Sequence, residues 1–218
     1  MTTRFKICCM QNVEEARLAI DHGASALGFV GTMPSGFGPI GEEQIAAIIA
    51  EVPPHVSTFL LTCATDAATI VRQQCRSGAN TLQLVDEVST GTYAALRDAL
   101  PDVSLVQVIH VEGEKSIREA AAVAPHVDAI LLDSGNPSLA IKELGGTGRV
   151  HDWAISRRIR EEVEVPVFLA GGLRAENVGE AIASVRPFAF DVCTGLLTGG
   201  VLDLLRLERF VTAVRTAA

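Results

Sequence analysis

Val165-Pro166-Val167-Phe168-Leu169-Ala170-Gly171-Gly172-Leu173-Arg174-Ala175-Glu176-Asn177-Val178 is the stretch whose reading decides the fold. Val165 to Ala170 are apolar and β-branched enough for a strand buried on both faces. Gly171-Gly172 let the backbone approach a ligand with no Cβ in the way, and Ala175 to Val185 carry helical spacing. A strand, a glycine turn and a helix start in that order outline a phosphate-binding turn, because free N–H groups at a helix start favour an anion. A plain tight turn between strand and helix reads the same locally. The neighbours of the unit separate the two readings.

Outward from that stretch the same unit recurs. Phe5 to Cys9 is a strand, and the helix after it opens on Asn12 and Glu15 as a capping-box-like pair and stops at Gly23. Strand Ala26 to Val30 is followed by a Gly/Pro-rich loop, Gly31 to Gly41, and a helix from Glu42 to Glu51. Strands Ser57 to Leu61, Thr81 to Val85 and Ser104 to Ile109 precede helices Asp66 to Ser77, Thr90 to Leu100 and Glu114 to Ala124. Strand Ala129 to Asp133 leads into a long loop, Ser134 to Val150, and a helix from Asp152 to Glu162. Beyond the opening stretch, strand Ala189 to Cys193 and a helix ending at Ala217 close the series.

Short apolar strands alternating with helices imply parallel strands with helical crossovers, and eight such units close into a barrel. The expected fold is therefore α/β, a (β/α)8 TIM barrel in one domain over residues 1–218. The alternative is an open doubly wound sheet, whose glycine turn usually follows the first strand; Lys6-Ile7-Cys8-Cys9-Met10 offers none. In barrels, phosphate commonly sits on the loops after strands seven and eight. Gly171-Gly172 and Thr194-Gly195 fall at those two places.

Composition limits the partners. A net charge of −8 gives no electrostatic footprint for nucleic acid or an anionic membrane, so an anionic ligand must be held locally by amides and a few cations. A small phosphorylated molecule is the expected partner, with no nucleic acid, no membrane and no cofactor; oligomeric state is unreadable. The sequence has no apolar run of membrane-span length, and Met1 to Lys6 lead into a strand without a signal-peptide core, which reads as cytoplasmic. Five cysteines without Cys-x-x-Cys spacing argue against a disulfide framework and fit reduced thiols.

Reactive side chains expected at the C-terminal ends of the strands are Cys8, Cys63, Gln83, His110, Asp133, Asp191 and Cys193. Strand alternation puts Lys6 and Cys8 on the inward face and Phe5, Ile7 and Cys9 toward the helices. The same parity turns Leu131 and Asp133 inward, across the mouth from Cys8; strand eight neighbours strand one, which offers Asp191 as a charge partner for Lys6. Each has a bland alternative. Cys8 could be a small buried hydrophobe, Asp133 a turn residue, Lys6 and Asp191 an inert pair, and His110 a solvated loop histidine. Arg174 could contact phosphate or merely flank the helix. Cys8, Cys9, Cys63 and Cys193 could converge on a soft metal, but their spacing is not that of a structural zinc site.

Lys6-Ile7-Cys8, Gly23-Ala24, Leu27-Gly28-Phe29-Val30, Leu131-Leu132-Asp133-Ser134, Gly145-Gly146-Thr147-Gly148, Asp152-Trp153, Leu169 to Leu173, Glu176-Asn177-Val178, Val185-Arg186-Pro187 and Asp191-Val192 together resemble the phosphoribosylanthranilate isomerase family, over nearly the whole chain. The resemblance implies an aldose-ketose isomerase, an intramolecular oxidoreductase, of tryptophan biosynthesis. It would turn an N-(5-phosphoribosyl) aldosylamine into a 1-amino-1-deoxyribulose 5-phosphate by an Amadori rearrangement. By similarity Asp133 is the acid that opens the ring and Cys8 the base that takes the C2 proton, with Lys6 nearby to lower the thiol pKa. Lys6, Gln83, Gly146, Gly148, Gly171, Gly172, Asp191, Thr194 and Gly195 would bind substrate and its phosphate, and the Gly145 to Gly148 loop could close over it.

The chain also departs from that family. An arginine usual after strand two, which receives the anthranilate carboxylate, is missing from Thr32 to Ile40; Cys9 stands where glycine is usual, Val85 where histidine is, and Cys193 to Leu197 replace a Ser-Ser-Gly-Val-Glu run. Two alternatives stay open on this ground: the same chemistry on a different phosphoribosylamine, or a non-catalytic paralogue that binds phosphorylated ligands.

Overall fold

The structure, a computed structural model, describes residues 4–34, 36 and 38–217. Ser35 and Phe37, within the loop read at 31–41, lie outside the described residues. Eight parallel strands form a closed barrel in chain order, each neighbour hydrogen-bonded to the next and the last to the first. They are β1 (Arg4–Ile7), β2 (Ala26–Val30), β3 (Ser57–Thr62), β4 (Thr81–Leu84), β5 (Ser104–His110), β6 (Ala129–Asp133), β7 (Val167–Leu169) and β8 (Ala189–Val192). The crossovers are α1 (Val13–Asp21), α2 (Glu42–Ile49), α3 (Ala67–Ser77), α4 (Thr90–Ala99), α5 (Lys115–Val123), α6 (Trp153–Glu162) and α7 (Val178–Val185), with α8 (Leu204–Ala217) after β8. Among the described residues no helix is long and apolar enough to cross a membrane.

Two apolar layers follow from the strand period of two. Ile7, Leu27, Phe29, Leu60, Leu82, Leu105, Ile130, Leu132 and Phe190 point outward into the helix layer, whereas Ala26, Phe59, Leu61, Val106, Val108, Leu131 and Phe168 fill the barrel interior. Each fully buried Leu or Phe of this kind contributes roughly 1.5–3 kcal/mol. Side chains fix the starts of α1, α3 and α6: Asn12 accepts from Glu15 N at 2.8 Å, Asp66 from Thr69 N at 2.8 Å, and Asp152 from Ala154 N at 2.8 Å. Such caps contribute about 1 kcal/mol each.

Differences from the sequence reading are local. Strand β1 ends at Ile7 because Cys9 takes a left-handed φ of 68°. That conformation costs a non-glycine residue about 1–2 kcal/mol and a glycine almost nothing. The turn reverses the side chain, so Cys9 joins the interior cluster with Cys8 and does not face the helices as strand parity expects. Helix α7 starts at Val178, later than the expected Ala175, because Asn177 accepts from Arg174 N at 2.9 Å and donates to Gly172 O at 3.0 Å, holding an extra turn. A hairpin of β9 (Leu197–Thr198) and β10 (Val201–Leu202) stands between β8 and α8. Its turn is Gly199-Gly200, both with positive φ, the conformation that two-residue hairpin turns require. Buried Glu15 of α1 fixes it by accepting from Leu202 N at 3.1 Å.

Candidate active site

At the bottom of the barrel mouth, register places Lys6 beside Asp191 across the β1–β8 seam, and Lys6 Nζ donates to Asp191 Oδ2 at 2.8 Å. Neither touches bulk water: Lys6 is 0% and Asp191 6% exposed. Burial works against the Lys6 ammonium, but the Asp191 carboxylate and Cys8 outweigh it and hold its pKa above the ordinary value. The same ammonium sits 5.2 Å from the centre of the Phe59 ring. Cys8, one inward position above Lys6, is a buried free thiol that bonds to that ammonium. The expected lowering of its pKa does not hold in the free protein. Burial pushes the thiol up to about 11, and Lys6 offsets only part of that.

Gly28 on β2 makes room for this pair. A methyl there would stand 2.7 Å from Cys8 Sγ, 2.8 Å from Lys6 Nζ and 3.0 Å from Lys6 Cε. The sequence signal was a lone glycine inside a buried strand, which often marks close approach. Gly28→Ala is expected to lower kcat about a hundredfold by displacing the thiol, while destabilising the fold by only about 1–3 kcal/mol. Steady-state kinetics beside thermal melts check this, and a kcat within twofold of the parent would refute the packing role.

One cavity gathers Cys8, Gln83, Asp133, Gly146, Gly148, Gly171, Gly172, Asp191, Thr194 and Gly195, so every residue that the resemblance assigns to catalysis or binding lines it except Lys6, which lies beneath Cys8. Asp133 ends β6, where its Oδ1 accepts from Ser134 N at 2.7 Å. Its Oδ2 is so close to Gly145 that a Cβ there would come within 2.7 Å, which accounts for a glycine at that point. Gln83 Oε1 and Asp191 Oδ1 are buried without a partner among the described residues, and both side chains face the cavity, so a hydroxylated ligand would satisfy them.

The glycine loops close one end. Gly171 and Gly172 have φ of 83° and 62°, and a Cβ on Gly172 would meet Arg149 C at 2.7 Å and Gly148 O at 2.8 Å. The turn after β7 and the loop after β6 therefore pack backbone to backbone. Gly195 is tighter still, since a Cβ would fall on Leu173 O. Left-handed turns of this kind make concavities for anions. His151 stands behind Gly171, with neither ring nitrogen paired among the described residues; burial lowers its pKa to about 4, so it is neutral at physiological pH.

Other expected residues are placed differently. His110 is buried rather than solvated, with Nε2 3.0 Å from Val85 O. Cys63 is half-buried and donates to Thr32 O at 3.1 Å, and Arg174 is exposed beside Glu176. Cys9 and Cys193 are joined in a disulfide with Cα atoms 6.1 Å apart, a correction to the reduced-thiol reading that also removes two of the four thiols proposed for a metal. Among the described residues no cluster of three or more His, Cys, Asp and Glu is arranged to hold a metal ion. Iodoacetamide applied to unfolded, unreduced protein should label Cys8, Cys63 and Cys75 only, with Cys9 and Cys193 appearing after reduction. Cys193→Ser should lower stability by about 2–4 kcal/mol. Labelling of all five cysteines before reduction would show the bond to be absent.

The family model described as N-(5'phosphoribosyl)anthranilate (PRA) isomerase matches residues 5–213. "N-(5'-phosphoribosyl)anthranilate isomerase 2" of Methanosarcina mazei is 37% identical over 95% of this chain and 92% of its own length. The N-(5'-phosphoribosyl)anthranilate isomerase of Haloarcula marismortui is 34% identical over 99% of this chain and 97% of its own. The crystal structure of phosphoribosyl anthranilate isomerase from Thermotoga maritima superposes with a TM-score of 0.84 at 28% identity, covering 98% of this chain and 99% of that one. Another, of a phosphoribosyl anthranilate isomerase in complex with reduced 1-(o-carboxyphenylamino)-1-deoxyribulose 5-phosphate, does so at 0.82 and 26%, with coverage of 98% and 99%.

Proposed function

Because this chain belongs to the N-(5'-phosphoribosyl)anthranilate isomerase family, we propose that its own Asp133 and Cys8 carry the rearrangement, with the glycine loops holding the phosphate. The protein is an aldose-ketose isomerase of tryptophan biosynthesis, an intramolecular oxidoreductase. The observation that carries the residue assignment is the sharing of one cavity by a free thiol, a carboxyl group and two glycine turns.

The substrate phosphate lies against Gly148, Gly171, Gly172, Thr194 and Gly195, which leaves the ribose between Cys8 and Asp133. Asp133 gives a proton to the ring oxygen, the bond from C1′ to that oxygen breaks, and the nitrogen lone pair forms a protonated Schiff base. Cys8 as thiolate then takes the C2′ proton, and the electrons of that bond neutralise the iminium as an enolamine. Ketonisation moves the 2′-hydroxyl proton out and a proton onto C1′, so the reaction is an isomerisation with no net proton change. Both assigned roles are proton transfers at fixed positions. Gln83 Oε1 and Asp191 Oδ1 accept from the sugar hydroxyls.

Since burial outweighs Lys6 in the free protein, the thiolate is disfavoured there, and a further positive charge facing it favours its formation. The Schiff base supplies that charge one bond from C2′, which also makes the C2′ proton more acidic. Its biosynthetic relatives support a cytoplasmic location, which cell fractionation would refute by finding the protein elsewhere. The test of the function is the fluorescence decay of freshly generated phosphoribosylanthranilate on adding purified protein. No turnover by the parent protein would refute the proposal.

A further inference from the structure

We infer that this pocket accepts N-(5-phosphoribosyl)arylamines whose ring carries no carboxylate at least as well as those that carry one; this rests on the function proposed above and extends its substrate class. The cavity has two unlike ends. Opposite the glycine loops stand Val30, Met33, Leu61, Val85 and Leu144, from the ends of β2, β3 and β4 and from the loop after β6. Among the described residues, the ionisable groups that line the cavity, Cys8, Asp133 and Asp191, can only add negative charge.

The nearest cation cannot serve. Lys6 is 0% exposed, and its ammonium is committed to Asp191 at 2.8 Å and to Cys8. Lys142 and Arg149, on the loop after β6, are paired with Asp86 and Glu143. The loop beyond β2, Gly31 to Gly41, contains no lysine, arginine or histidine. A ring carboxylate at this end would exchange water for aliphatic side chains and for groups of its own sign. A neutral ring meets no such penalty. The phosphate and the atoms that exchange protons belong to the phosphoribosyl part, and the arylamine nitrogen whose lone pair forms the Schiff base is common to both ligands. A site built around a cation would reject the neutral ring strongly, because that cation would be left buried and unpaired. Here an uncharged ring leaves no cation unpaired.

The experiment compares kcat/KM, by mass-spectrometric product formation, for the N-phosphoribosyl derivatives of anthranilate, anthranilamide and aniline. Anthranilamide keeps the shape of anthranilate and removes its charge. Its derivative is expected within about threefold of the anthranilate derivative or above it, and the aniline derivative is expected to be turned over. A preference for anthranilate of more than about tenfold over the amide overturns the inference. Met33→Arg puts a cation at the apolar end and is expected to move the ratio toward anthranilate by about tenfold or more. An unchanged ratio in that variant would place the ring elsewhere and would also overturn it. Failure of the parent protein on all of these substrates, with inorganic phosphate still bound, would refute the proposed function itself.

Discussion

Cys8→Ala and Asp133→Asn are each expected to lower kcat for phosphoribosylanthranilate by about 10³-fold, within the 10²–10⁴ range typical of a positioned acid or base. The two should leave the fold intact for different reasons. Cys8 is a small buried side chain, so alanine removes one atom. Asparagine at position 133 can still accept from Ser134 N through its amide oxygen, while losing the proton to deliver. Stopped-flow fluorescence with circular dichroism controls would measure both. Either variant retaining a tenth or more of the parent kcat would sink the corresponding assignment. The thiol carries a further signature. Its pKa in the free protein is raised to about 11, so the neutral form dominates at physiological pH and the thiolate grows as pH rises toward that value. Alkylation of Cys8 by iodoacetamide should therefore still be accelerating at about pH 9. A plateau reached near neutrality would show that Lys6, and not burial, sets the thiol.

Lys6→Met is expected to have the largest effect on stability, about 3–5 kcal/mol, because it leaves the buried Asp191 carboxylate without its partner. For a chain of this length that corresponds to a fall in Tm of roughly 10 °C. Replacing both partners, Lys6→Met with Asp191→Leu, should recover most of the loss, since a buried ion pair exchanged for apolar side chains is often neutral. Activity should not return with stability. The double variant lacks the ammonium beneath Cys8 and the Asp191 Oδ1 acceptor in the cavity. Denaturant unfolding and kinetics on the two proteins separate these effects. A single variant destabilised by less than about 1 kcal/mol would mean that Asp191 finds another partner or takes up a proton. Surface pairs such as Arg17–Glu51 have no such influence, being exposed and contributing at most about 1 kcal/mol.

Much of this site follows from rules that operate within a few residues. The alternation of side chains along a strand puts Lys6 and Cys8 inward together, and the same parity does so for Leu131 and Asp133. Gly171-Gly172 declares its own left-handed turn, since few other residues adopt it without strain. Repetition of the strand-helix unit turns those local readings into a barrel, and the barrel orders the loops. His110 departs from the rule that a polar residue at a strand end is usually solvated. Here the loop after β6 covers it: a Cβ on Gly135 would fall within 2.3 Å of its ring.

What the sequence by itself determined was the eightfold repeat, the inward face of each strand and the two glycine turns, because hydrophobic period and backbone freedom are properties of short segments. Only the tertiary structure decided which distant groups share a volume. Closure of β8 onto β1 joins Cys9 to Cys193 across 184 residues and seats Lys6 between Asp191 and Cys8. It also makes the absent side chain of Gly28 the space in which Cys8 and Lys6 fit, and it removes enough water to carry the thiol pKa above its ordinary value despite the adjacent ammonium. Burial and electrostatics are sums over everything that surrounds a group, and no local stretch of sequence contains those surroundings.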